Sequence, residues 1–188
     1  MKNLFRYHQW LALSFAAAAF VFANGSAQAA SAKEIDREAD AALTTLYETT
    51  AVAKKLAAQA EAILIFPSIV KAGLVVGGQY GQGVLRKDGQ SVGYFRSSAV
   101  SYGLQAGAQS FGYAMFLMTD EAIKYLKSSD GWEIGVGPSV VIVDEGLAKT
   151  LTTTTAKDDI YAFIFGQKGL MAGIGLQGSR IKKIDLDE

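Results

Sequence analysis

The apolar positions of this chain change period along its length. From Ile35 they recur at helical spacing, through Ala39, Leu43 and Leu46, behind Ser31-Ala32-Lys33-Glu34. That tetrapeptide fits a capping box, in which a hydroxyl and a carboxylate each satisfy a backbone amide at a helix start. A second amphipathic stretch runs from about Thr50 to Ala62, with Ala53, Leu56, Ala57, Ala60 and Ile63 on one stripe and Lys54, Lys55, Gln59 and Glu61 off it. Pro67 is expected to end that helix, because it removes a backbone donor and biases Phe66 toward an extended conformation.

Beyond Pro67 the period falls to two, paced by glycine and aromatic residues. Strands are predicted over 72–86, 91–98, 100–108 and 109–118, with Lys87-Asp88-Gly89 as the clearest turn. A short helix follows, capped by Thr119, with Asp120 and Glu121 in its first turn and Lys124 and Lys127 toward its end. Strand returns over 132–143, Asp144-Glu145-Gly146 reads as a turn, and the last strands are predicted over 159–165 and 170–184, with 166–169 as a hairpin turn. The fold class is α+β: N-terminal helices packed on a curved, mostly antiparallel sheet of about six to eight strands, with closure into a barrel left open. Gly81 with Gly83 and Gly135 with Gly137 lie at strand parity and leave one face without side chains. Strong curvature or a close-lying element explains such pairs, and so does room for a lipid chain.

The first 29 residues stand outside that fold. Lys2 and Arg6 precede an apolar run from Leu11 to Ala23 and an Ala27-Gln28-Ala29 site, the pattern of a secretory signal peptide. Cleavage after Ala29 is expected to release one domain, 30–188, into the periplasm or medium, with 16 basic and 18 acidic residues and a net charge of −2. That balance disfavours nucleic acid, whose binding depends on neutralising many phosphates. The chain has no Cys, and its one histidine, His8, lies in the leader. Ser-His-Asp and Cys-His catalysis, the usual zinc sites and His-ligated haem are thereby excluded from the mature inventory, and no cofactor is expected.

The remaining motifs are weak as chemistry. Gly173-Ile174-Gly175-Leu176-Gln177-Gly178 matches G-x-G-x-x-G, but a dinucleotide site needs a following helix and a later acidic residue, and the sequence reaches Glu188 too soon. Asp130 and Glu133, Asp144 and Glu145, and Asp158 and Asp159 are the neighbouring carboxylates. Adjacent strand residues point to opposite faces, so turn formation and solvation suit them better than acid/base work. The basic residues Lys71, Arg86, Lys87, Arg180, Lys182 and Lys183 are the candidates for anionic headgroups, with ordinary solvated strand ends as the alternative.

Four segments in order, 66–73 (FPSIVKAG), 101–107 (SYGLQAG), 128–144 (SSDGWEIGVGPSVVIVD) and 159–178 (DIYAFIFGQKGLMAGIGLQG), resemble the SYLF domain family. This lipid-binding domain is also known as an actin-binding domain in fungal members, and the likeness runs from about Ile35 to Ile184. The resemblance implies a non-enzymatic module that binds phospholipid, notably phosphoinositides in eukaryotic members, where an N-terminal amphipathic helix contributes. An actin role is not expected to transfer to a bacterial envelope. The expected partner is therefore an anionic phospholipid or membrane surface. The rival readings are a structural or partner-binding envelope protein, a small outer-membrane β-barrel, and a hydrolase that uses carboxylates alone.

Overall fold

The computed structural model describes residues 30–73, 76–102, 107–128, 131–134, 136–152, 155–169 and 178–186. Ser31 caps helix α1 (Ala32–Thr49), its hydroxyl accepting from the Glu34 amide, and Ile35, Ala39 and Leu46 are buried as the periodicity requires. Helix α2 is only Ala51–Ala57. The predicted extension to Ala62 is a turn over 58–61, and Ala62 already opens the first strand.

Strand β1 runs Ala62–Gly73 straight through Pro67. Its continuous apolar opening is buried on both faces, which removes the alternation that marks a half-buried strand. Pro67 is accommodated at a bulge, where the register slips against both neighbours between Phe66 and Ile69 and between Ile65 and Val70. Strands β2 (Val76–Lys87), β3 (Gln90–Tyr102) and β4 (Gly107–Leu117) continue the meander, so the predicted strands 91–98 and 100–108 are largely one. Helix α3 (Asp120–Leu126) has the expected Thr119 cap. The predicted strand 132–143 divides into β5 (Trp132–Glu133) and β6 (Val140–Val143). Asp144 opens helix α4 (Glu145–Thr150) instead of a turn, because its carboxylate accepts from the Leu147 amide. Strand β7 (Ile160–Gly169) runs through the predicted hairpin turn, and β8 (Arg180–Ile184) is the last element. The expected leader, Asp130, Gly135, 170–177 and most of the G-x-G-x-x-G motif lie outside the described residues.

The eight strands form one curled half-barrel in the order β5-β8-β3-β2-β1-β4-β7-β6, antiparallel except for β6 beside β7. The inner face carries Leu64, Phe66, Phe95, Tyr113, Met115 and Ile181 and is filled by Ile123 and Leu126 of α3 and by Trp132. On the outer face, Leu46, Val52 and Leu56 of the helices pack over Ala114, Phe116, Tyr161 and Phe163. Fully burying each large apolar side chain is worth roughly 1.5–3 kcal/mol, so both layers stabilise the sheet. Gly81 and Gly83 let the β1 bulge lie close: a Cβ at Gly81 would sit 2.7 Å from the Ser68 carbonyl oxygen, and one at Gly83 would strike the Ile65 carbonyl. Curvature and close approach account for this glycine pair.

Candidate functional site

The helices cover only one end of the outer face. At the other end, strand parity aims Val70, Val76, Tyr80 and Val100 outward, with exposures of 53%, 56%, 49% and 68%. Val70 lies directly opposite Tyr80, and Val100 lies opposite Gly78, which also faces Ala72. Small residues at those paired positions leave the larger side chains standing clear of the sheet. A contiguous exposed apolar patch on a folded domain marks an interaction surface.

Cations flank this patch on both sides. Arg96 and Lys182 are exposed and directly opposite one another across β3 and β8, and Arg180 lies opposite Ser98. Beyond β4, Lys168 lies opposite Ser110. Like charges held in direct register repel, and an anion between them relieves that cost. Glu133, 4.0 Å from Arg180, is the one carboxylate among the described strand residues at this end.

The six basic residues singled out from the sequence do not form one cluster. Arg180 and Lys182 belong to the flank just described. Lys183 pairs with Phe95 and so has the opposite parity. Lys71 lies between Gln79 and Gln109 on the inner side, eight residues from Ile63, or about 25 Å along the strand. Arg86, opposite Ile63, is at the helix-covered end, where its guanidinium meets Asp36 at 3.5 Å and Asp40 at 2.9 Å. Lys87 is 3.9 Å from Glu61. Arg96 and Lys168, which complete the flanks, were missed. Arg96 is signalled by its parity with Val100, whereas Lys168, three residues from Phe165, joins the outer face only through the register shift between Ser110 and Gly112; both are usable only once strands distant in sequence are paired.

The neighbouring carboxylates do structural work where they are described. Asp159 accepts from the Ser139 amide and hydroxyl, Asp158 accepts from the Tyr161 hydroxyl, and Asp144 caps α4. Asp36 accepts from Ser91 at 2.7 Å and Tyr94 at 3.1 Å, fastening α1 to the β2–β3 hairpin. Burial and then this Asp36 bond push the Tyr94 hydroxyl above its ordinary pKa; burial alone raises Tyr47, and raises Tyr113 strongly. All three lie away from the bare outer patch. Among the described residues, no three His, Cys, Asp or Glu side chains gather as a metal site, and no helix is long and apolar enough to cross a membrane.

Residues 98–185 match the model of a family described as Las17-binding protein actin regulator, Ysc84. The match is consistent with the SYLF resemblance and covers slightly less than half of the chain, from within β3 through β8. No curated protein matches the chain.

Proposed function

We propose that this chain, which carries an Ysc84-type (SYLF) domain match over residues 98–185, docks non-enzymatically on anionic phospholipid surfaces of the bacterial envelope. The observation that carries this reading is the bare outer end of the sheet: apolar Val70, Val76, Tyr80 and Val100 between the cations Arg96, Lys182 and Arg180 on one side and Lys168 on the other. Valines and a tyrosine suit the boundary between headgroups and acyl chains, where an amphipathic ring has both of its environments. Cations near an anionic leaflet contribute about 1 kcal/mol each.

The leader-like first 29 residues support a periplasmic or secreted location. Export would remove the chain from actin, so the actin regulation after which the family is named is not carried over. The helix-covered end of the outer face argues against a membrane-spanning barrel, because α1 and α2 occupy strand surface that a lipid belt would need. Co-flotation with phosphatidylglycerol vesicles, compared with phosphatidylcholine vesicles, tests the proposal. Binding to the first that weakens with salt is expected; no binding to either removes it.

A further inference from the structure

A second feature of the outer side is a groove of about 720 Å³ between the α1–α2 junction, β6, α4 and β7. We infer that this groove holds the alkyl chain of a single-chain anionic amphiphile of the fatty-acid type. The inference is independent of vesicle docking, because it concerns a ligand taken up from solution.

The volume falls within the roughly 300–1,000 Å³ of small-ligand pockets. Val52, Val143, Phe163 and Phe165 line it with apolar surface. Much of that floor has its backbone paired: Val143 is in ladder register with Phe163, Ile164 and Phe165 pair with β4, and the Leu46 carbonyl accepts from the Thr50 amide. Unsatisfied backbone would favour water or a polar group, whereas a paired backbone under aromatic rings favours hydrocarbon. The depth depends on Gly112, which faces Phe165 across the β4–β7 pair. A Cβ there would approach the Phe165 ring to 2.7 Å at Cζ, so the bare backbone lets that ring lie down on the sheet.

The rim supplies the polarity for one charged head. Lys149 is exposed there, and none of the ion pairs among the described residues involves it. Asp144 also lines the groove, but its Oδ1 already accepts from the Leu147 amide at 2.8 Å. The Thr49 hydroxyl is likewise committed, to the Thr45 and Leu46 carbonyls. Lys149 is therefore the group to meet a carboxylate head.

The test titrates the full chain with cis-parinarate, whose fluorescence reports an apolar site, and displaces it with laurate or dodecanol below their aggregation concentrations. Saturable one-to-one binding is expected for the wild type. Ala148→Trp and Ala51→Trp fill the groove and should each abolish binding; Ala51 is exposed at the start of α2, so its variant should fold even if Ala148→Trp does not. Lys149→Gln should weaken laurate about two- to five-fold and leave dodecanol unchanged, as an exposed charge pair predicts. The groove-filling variants should still float with anionic vesicles if the outer patch docks, so the two proposals fail separately. No saturable binding by the wild type, or unchanged binding by a folded Ala51→Trp, overturns the inference.

Discussion

The Arg86 guanidinium reaches Asp36 at two points, donating from Nη2 to its backbone carbonyl at 3.2 Å and lying 3.5 Å from its carboxylate. The same Nη2 is 2.9 Å from Asp40, one helical turn on. Arg86 thus ties α1 to β2 at a largely buried position, with only 17% of its side chain exposed. A residue that sequence position recommends for headgroup contact is a fastener of the helical layer.

Arg86→Met should therefore lower stability by about 2 kcal/mol, because charge-assisted bonds are lost and Asp36 keeps only Ser91 and Tyr94. For a domain of this size that is a fall in Tm of roughly 4–8 °C. Thermal unfolding by circular dichroism checks it, and vesicle flotation well below the new Tm should be unchanged.

Tyr113 gives a prediction with the opposite sign. Its hydroxyl is fully buried with no hydrogen-bond partner among the described residues, and burial raises its pKa well above 10.0. Tyr113→Phe removes an unsatisfied polar group and should be neutral or stabilising by about 1 kcal/mol in urea unfolding. The contribution of a neutral, raised tyrosine is fully present below the unfolded pKa near 10.0 and is lost as pH rises toward the folded value. Stability should accordingly decline above pH 10 in the wild type and less steeply in Tyr113→Phe.

Two glycines of the β2–β3 region should respond differently to alanine. Gly83→Ala drives a Cβ into the Ile65 carbonyl and to 2.7 Å from the Phe66 ring, and should cost about 3 kcal/mol. Gly89 sits at φ 76° in the turn with open space around it, so Gly89→Ala should cost only about 1 kcal/mol, from backbone strain. Chemical denaturation of the two variants side by side measures the difference.

What was legible in the sequence was what local chemistry decides. Ser31 and Thr119 mark helix starts because their hydroxyls accept from amides three residues on, and both caps form. The β1 strand was not legible before Ala72, because its buried apolar run lacks alternation and Pro67 argues for a break; a bulge supplied by the neighbouring strands resolves the conflict. Asp144 looked like part of a turn, since six helical residues give too little periodicity to distinguish the two. For the candidate surface, Arg180 and Lys182 were visible as a local cluster. Arg96 and Lys168 became partners of the patch only through pairing of β3 with β8 and of β4 with β7, and Lys71 was separated from it by parity alone.

Parity also supplies the most direct test of the membrane-docking surface. Lys182 and Lys183 are adjacent and both exposed, yet Lys182 shares a face with Arg96 and Val100 while Lys183 shares one with Phe95. Flotation of Lys182→Glu and Lys183→Glu with phosphatidylglycerol vesicles, beside Val100→Asp, should show strong loss for Lys182→Glu and Val100→Asp and near wild-type binding for Lys183→Glu. Equal binding by the two lysine variants, or undiminished binding by Val100→Asp, would contradict docking through this face.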